Sequence, residues 1–243
     1  MSHSIKDGAI FIADAHFSSE RQDLLLLLSK IESNIIDTKQ IFFMGDIFDL
    51  LIPPIKHTLI INSELIDAIN RLSISHEVYF FEGNHDFLLH ETFPNVILFP
   101  LMSQPAIFDI NGKTALLLHG DRFAPASYLV YSSLIRSRFV LKILRFILFD
   151  FISPKFINFV IAKLKNKNIC KKQQNFYEFI LKRLPPLVNK YSFDYLIEGH
   201  FHQGKNFEVE QKNYINIASF ACNKSFFRVE FNKSEIKFLD EQL

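Results

Sequence analysis

The sequence predicts an α/β protein with a mixed sheet or a pair of sheets, interrupted by a helical insertion. Three observations predict it. In the N-terminal part, short apolar runs that end in polar groups alternate with stretches of helical length and composition. In the C-terminal part, alternating patterns of hairpin type take over. Between the two, at about residues 123–186, lies a segment that is both basic and apolar, with helical spacing. A chain of 243 residues, 49% hydrophobic and 22% charged, suits a single domain, 1–243, that carries this insertion.

Element by element, "AIFIADAH" (9–16) is an apolar run that delivers polar side chains to a sheet edge. "ERQDLLLLLSKIES" (20–33) is helical in composition, and "QIFFMGDIFD" (40–49) repeats the strand-then-polar pattern. "TLIINSELIDAINRLSIS" (58–75) predicts a second helix and "EVYFFEGNHDF" (77–87) a third strand. In "PAIFDINGKTALLLHGD" (105–121), Asn111-Gly112 between two apolar runs is a strong hairpin signal. The helical insertion follows. Pro154 is expected to interrupt its helices and Pro185-Pro186 to close it. "FDYLIEGHFH" (193–202) returns to strand-then-polar, and the tail alternates as antiparallel strands, with Asn232-Lys233-Ser234 as a turn. The 28 Phe, with no Trp, predict a strongly aromatic interior.

The net charge of +1 hides an uneven distribution. Arg122 to Lys190 holds fourteen Lys and Arg against Asp150 and Glu178, a balance of +12, and the remainder carries −11. Such a division presents a basic face to an anionic partner. Cys170 and Cys222 stand far apart in no metal-type spacing and are expected to be free thiols in a reducing compartment. The N-terminus has no basic region followed by an apolar one, so no signal peptide is expected and a cytoplasmic location follows.

Five strand ends carry the chemistry: Asp14-Ala15-His16, Gly45-Asp46-Ile47-Phe48-Asp49, Gly83-Asn84-His85-Asp86, His119-Gly120-Asp121 and Gly199-His200-Phe201-His202. Each alone reads as a turn or a capped strand end. Together, each after a strand and all rich in oxygen and nitrogen donors, they point to metal. Carboxylate, imidazole and amide oxygen without Cys suit Mn2+, Mg2+, Fe2+ or Zn2+. Seven good ligands are enough for two ions that share a carboxylate. Such a pair clamps a phosphate and ionises a water for in-line attack. No glycine-rich phosphate loop and no Ser or Cys nucleophile with its base is present.

The ordered series D-x-H, G-D-x-x-D, G-N-H-D, H-G-D, G-H-x-H resembles the calcineurin-like metallophosphoesterases across residues 14–202. The resemblance implies a double β-sandwich flanked by helices and two divalent ions, Mn2+ first. It also implies that Asp14, His16 and His202 bind one metal, that Asp46 bridges, and that Asn84, His119 and His200 bind the second. His85 corresponds to the histidine that contacts the phosphate and assists the transition state, so His85 and Asp46 are the expected catalytic residues. Asp49 and Asp86 match positions where orienting neighbouring histidines is a reasonable role.

The insertion bears on the substrate, because both of its ends are tied to the site. Residues 138–167 are too broken by Lys142, Arg145, Asp150, Lys155 and Lys163 to span a membrane. Helices that merely cover the sheet are one reading. An amphipathic lid for an amphiphilic anion or a membrane surface is the favoured one, with Arg138, Lys142 and Arg145 on one helical face and Phe139, Ile143, Phe146 and Phe149 on another. Together with "GDIFDLL", "GNHDFL" and "GHFH", the lid resembles the UDP-2,3-diacylglucosamine diphosphatase branch of the family. That branch cleaves its lipid A precursor at the α-phosphorus to UMP and 2,3-diacylglucosamine 1-phosphate (lipid X), peripherally at the inner leaflet. This chain departs from the branch at His85 and Phe201, where the branch has Arg and Thr. Asn84, His85, Arg122, Tyr128 and Lys165 are the expected substrate contacts. The alternatives are another phosphodiesterase or phosphatase, a nuclease gripping nucleic acid with the basic lid, and a non-catalytic scaffold. No protein partner is evident.

Overall fold

A computed structural model describes residues 3–121, 134, 136–137, 154–165, 168–232 and 235–243. Two six-stranded sheets pack face to face. One holds, in spatial order, β12 (Glu235–Gln242), β11 (Ser225–Asn232), β2 (Ile10–Ile12), β3 (Gln40–Phe43), β4 (Glu77–Phe81) and β5 (Ile97–Phe99). The other holds β1 (His3–Ile5), β6 (Ala106–Ile110), β7 (Lys113–Leu118), β8 (Tyr195–Glu198), β10 (Lys212–Asn216) and β9 (Lys205–Val209). The short strands β1 and β5 extend the set read from the sequence.

The apolar runs have a simple cause. β2, β3 and β4 pair in parallel and are covered on both faces, so nearly every side chain is buried and no alternation shows. β6, by contrast, alternates buried and exposed, and it turns into β7 through Asn111 and Gly112, both at positive φ (51° and 78°). Glycine takes that geometry without a Cβ clash, and the turn matches the sheet's twist. Between the sheets the phenylalanines stack: the ring centroids of Phe11 and Phe42 lie 4.3 Å apart, and those of Phe42 and Tyr79 4.7 Å. Offset aromatic pairs of this kind contribute about 0.5–1.5 kcal/mol each beyond their buried area.

Helices cover the outer faces. α1 (Asp23–Glu32) buries Leu24, Leu27, Leu28 and Ile31 on one stripe against the first sheet. The helix expected over 58–75 is two, α2 (Lys56–Ile61) and α3 (Ser63–Ser75). They divide at Asn62, whose buried amide donates to Leu50 O and Thr58 O. From the insertion come α4 (Pro154–Lys165), which packs near α2, then α5 (Phe176–Arg183) and α6 (Pro185–Val188), which cover the second sheet. Pro154 and Pro185 begin helices where an interruption and a closure were expected. A proline in the first turn loses no intrahelical hydrogen bond. A last short helix, α7 (Phe220–Asn223), follows β10.

The cysteines correct the sequence reading. Cys170 and Cys222 form a disulfide, with Cα atoms 5.6 Å apart and a sequence separation of 52 positions. Spacing along the chain carries no information about such a contact, because the fold alone brings the segment after α4 against α7. Among the described residues no helix is long and apolar enough to cross a membrane. Most of the stretch 138–167 lies outside those residues, as do Arg122 and Tyr128.

Candidate active site

All the strand-end motifs meet at one edge. β2, β3 and β4 are adjacent and parallel, and their carboxyl ends deliver Asp14 and His16, Asp46 and Asp49, and Asn84 to Asp86. β7 and β8, adjacent and parallel in the second sheet, deliver His119 and then His200 and His202. Carboxyl ends of parallel strands are where ligands collect in such sheets. Two triads result, Asp14, His16 and His202 in one and Asp46, His119 and His200 in the other, each with its potential ligand atoms within 4.8 Å of one another. In the second, Asp46 Oδ2 lies 3.5 Å from His119 Nε2, and His200 Nδ1 lies 3.2 Å from the same nitrogen.

The backbone is bent to achieve this. Asp14, His16, Asp46, His200 and His202 all have φ between 44° and 62°, the left-handed region that ordinary residues avoid. Glycines make room: a Cβ on Gly83 would lie 2.3 Å from Asp46 Oδ1, and one on Gly45 2.3 Å from His119 Nδ1. Asp86 holds the Asp46 loop by accepting from the backbone N–H of Asp46, Ile47, Phe48 and Gly83. Asp49 is the one of the two carboxylates that faces a histidine. Its Oδ1 lies 3.5 Å from His16 Nδ1, and its Oδ2 accepts from Arg21, which also donates to His16 O.

Three of the rings are anchored on their far side. His119 Nδ1 pairs with Met44 O at 2.8 Å, His85 Nδ1 with Asp49 O at 2.7 Å, and His202 Nδ1 with Ile169 O. Such bonds set the tautomer and present the other nitrogen inward. Asp14 Oδ1, both His16 nitrogens and Asn84 Oδ1 are buried and make no hydrogen bond, although His202 Nε2 lies 3.2 Å from Asp14 Oδ1 and Asp49 Oδ1 3.5 Å from His16 Nδ1. Buried polar atoms without partners are costly and rare in folded proteins. A cation in each triad would satisfy them, so these donors fit two divalent ions.

The electrostatics agree. Burial raises the Asp14 and Asp46 carboxyls, but His202 beside the first and His119 beside the second outweigh it and hold both below the usual range. Burial lowers His119 and His202, yet Asp46 and Asp14 respectively hold them above the ordinary value. For His200 the opposing pull of Asp46, Asp121 and Asp14 is too small, and burial together with His119 brings it down to about 4.

Two arginines escaped the sequence reading. Arg136 donates to Gly83 O at 2.8 Å and lies 3.4 Å from Asp121, while its buried Nε and Nη1 make no hydrogen bond. Arg183 pairs with buried Glu198 at 2.6 Å, donates to Gly120 O and stacks over Phe201, joining the His119 and His200 loops. Both lie in the segment read only as a basic block, and no local pattern distinguishes them from its surface lysines. Lys165 ends α4, with its side chain outside the described residues. Beside the site, Phe17, Leu50, Ile61, Ile161 and Ala162 line a largely apolar cleft of about 260 Å³ that Asp49 also borders.

A family model described as calcineurin-like phosphoesterase matches residues 9–204. A protein named UDP-2,3-diacylglucosamine hydrolase from Shewanella piezotolerans is 33% identical over 113 residues, 46% of this chain and 47% of the relative. Another of that name, from Wigglesworthia glossinidia brevipalpis, is 27% identical over 239 residues, 95% of this chain and 94% of the relative. The match thus spans about half the length of the Shewanella relative. Among solved structures, a phosphoesterase from E. coli is 12% identical with a TM-score of 0.47, covering 96% of this chain and 98% of its own.

Proposed function

The chain belongs to the calcineurin-like phosphoesterase family, and on that premise we propose that it hydrolyses the diphosphate of UDP-2,3-diacylglucosamine to UMP and 2,3-diacylglucosamine 1-phosphate. The observation that carries the reaction type is the pair of buried triads, one built mainly from each side of the sandwich edge, with unpartnered donors aimed inward. Two divalent ions at such a site, Mn2+ in our reading, neutralise phosphate oxygens and lower the pKa of a water. The residues of the chain do the rest. In this reading Asp14, His16 and His202 would hold one ion, Asn84, His119 and His200 the other, and Asp46 would be shared by the two.

His85 is the phosphate-contacting residue in this reading. Its backbone N–H is bonded to Asp46 Oδ1 and its Nδ1 to Asp49 O, so Nε2 is left to stabilise charge as it builds on phosphorus-bound oxygen. Arg136 offers Nε and Nη1 from the insertion side for the same task. Arg122, Tyr128 and Lys165 remain proposed sugar or phosphate contacts.

The substrate reading is supported by the names of the relatives and by the apolar cleft against α4. Ile60, Ile61 and Phe159 are exposed, Phe159 at 64%. An apolar cleft beside a phosphate site, in a chain whose residues 122–190 carry a balance of +12, suits a diphosphate that carries acyl chains. The same features suit peripheral contact with the cytoplasmic face of the inner membrane. Incubating the Mn2+-loaded protein with UDP-2,3-diacylglucosamine in detergent tests the proposal, and UMP and the acylated sugar 1-phosphate are expected. Cleavage of simple diesters or nucleotides without release of UMP would overturn the substrate assignment.

A further inference from the structure

The Cys170–Cys222 disulfide lies against the first triad. Cys170 directly follows Ile169, whose carbonyl accepts from His202 Nδ1. Cys222 directly follows Ala221, whose N–H donates to Asp14 O at 3.2 Å, and Ser219 Oγ donates to the same oxygen at 2.9 Å. Thus each half of the bridge belongs to a backbone segment that holds one ligand of the triad Asp14, His16 and His202. The second triad has its own supports, Met44 O behind His119 and Arg183 across Gly120 and Glu198.

We infer that the Cys170–Cys222 bridge is a positioning device for His202, so that ion binding at the first triad, and not at the second, depends on the redox state of these two thiols. The physical reason is the reach of the loop. Residues 168–173 leave α4 and cross to the site edge without regular structure, and Cys170 is exposed. Only the bridge ties this loop covalently to the α7 segment beneath Asp14. Lys172 Nζ donates to His202 O at 2.6 Å and Gln173 N–H to Gln203 Oε1 at 2.9 Å, so reduction loosens the loop without releasing it. Once Ile169 O shifts, His202 loses the acceptor that sets its tautomer and aims Nε2. Loss of such an outer hydrogen bond typically weakens metal binding by about 10–100-fold.

Reduction is chemically balanced with a phosphine as reductant: the S–S bond breaks, two Cys thiols form with protons from water, and the phosphine takes the water oxygen to become a phosphine oxide. A dithiol serves equally, its two sulfurs pairing as the two Cys sulfurs take its protons. The exposure of Cys170 gives either reagent access.

The inference rests on the two-ion reading above, and the test separates the two. Mn2+ is titrated into the metal-stripped full chain, oxidised and phosphine-reduced, by calorimetry. The same titrations are run on His200→Ala, which leaves the first triad intact, and on His16→Ala, which leaves the second. Two ions are expected in the oxidised wild type. On reduction, the remaining ion of His200→Ala should bind about 10–100-fold more weakly, and that of His16→Ala should be unchanged. Cys222→Ser without reductant should reproduce the reduced wild type, and circular dichroism on each sample reports the fold. Equal affinities in both redox states overturn the inference. So does equal weakening of both sites, which would make the bridge a general staple, or two alkylatable thiols in protein purified without reductant. Fewer than two ions in the oxidised wild type would instead fail the two-ion reading.

Discussion

His16 presents two buried ring nitrogens with no hydrogen bond, and Asn84 a buried amide oxygen in the same condition. Unless a cation meets them, these atoms are a net cost to the fold. His16→Ala and Asn84→Ala are therefore expected to abolish turnover, since each would remove a ligand of an ion that activates water and clamps phosphate, with far-UV circular dichroism unchanged. Full activity in either variant would remove its residue from the ligand set. The pH response follows from His119 and His202, which their paired aspartates hold above the ordinary histidine value. A raised value means that the proton is kept to higher pH in the metal-free chain and must leave when an ion binds. Apparent metal affinity should thus fall as pH drops from mildly alkaline to mildly acidic, and calorimetry in buffers of different ionisation heat should detect proton release. The identity of these residues is legible in the sequence, because donor types and their order survive any fold. The left-handed backbone at Asp14, His16, Asp46, His200 and His202 is not, since non-glycine residues adopt it only where the surrounding structure compels them.

Loops at strand ends hold those residues, and one side chain does much of the holding. Asp86 accepts from the amides of Asp46, Ile47, Phe48 and Gly83, so Asp86→Ala leaves several buried donors unpaired. A loss of about 3 kcal/mol in urea unfolding is expected on the scale of such penalties. A loss no larger than that of an ordinary surface substitution would show that the loop holds itself. At the insertion, Ile161 of α4 lines the cleft together with Phe17 and Leu50. Ile161→Asp should reduce hydrolysis of the long-chain substrate about tenfold or more, as expected for a charge placed against acyl surface, while a soluble short diester is cleaved as before. Equal loss on both substrates would remove the cleft from acyl binding. The helix over 58–75 was legible, but not its division at Asn62, because the side-chain bond to Leu50 O that pins it is a tertiary contact.

Taken as a whole, the site is a seam between two sheets, and metal should hold it shut. Each ion bound at about a hundred times its dissociation constant adds about 2.7 kcal/mol to unfolding. Chelation with EDTA should therefore lower the melting temperature and abolish turnover together, and Mn2+ should restore both. An unchanged melting temperature after verified metal removal would show that the seam does not need the ions. By itself the sequence determined the α/β class with a mixed sheet or a pair of sheets, the five strand-end motifs and the uneven charge, because burial pattern and donor chemistry are written in residue type and spacing, and the double sandwich entered only through the family those motifs resemble. Only the tertiary structure decided that Cys170 meets Cys222, that Arg183 braces two ligand loops and that Arg136 faces the Gly83 turn. Those contacts join residues far apart in sequence, and no local preference encodes a pairing that exists only once the sheets have stacked.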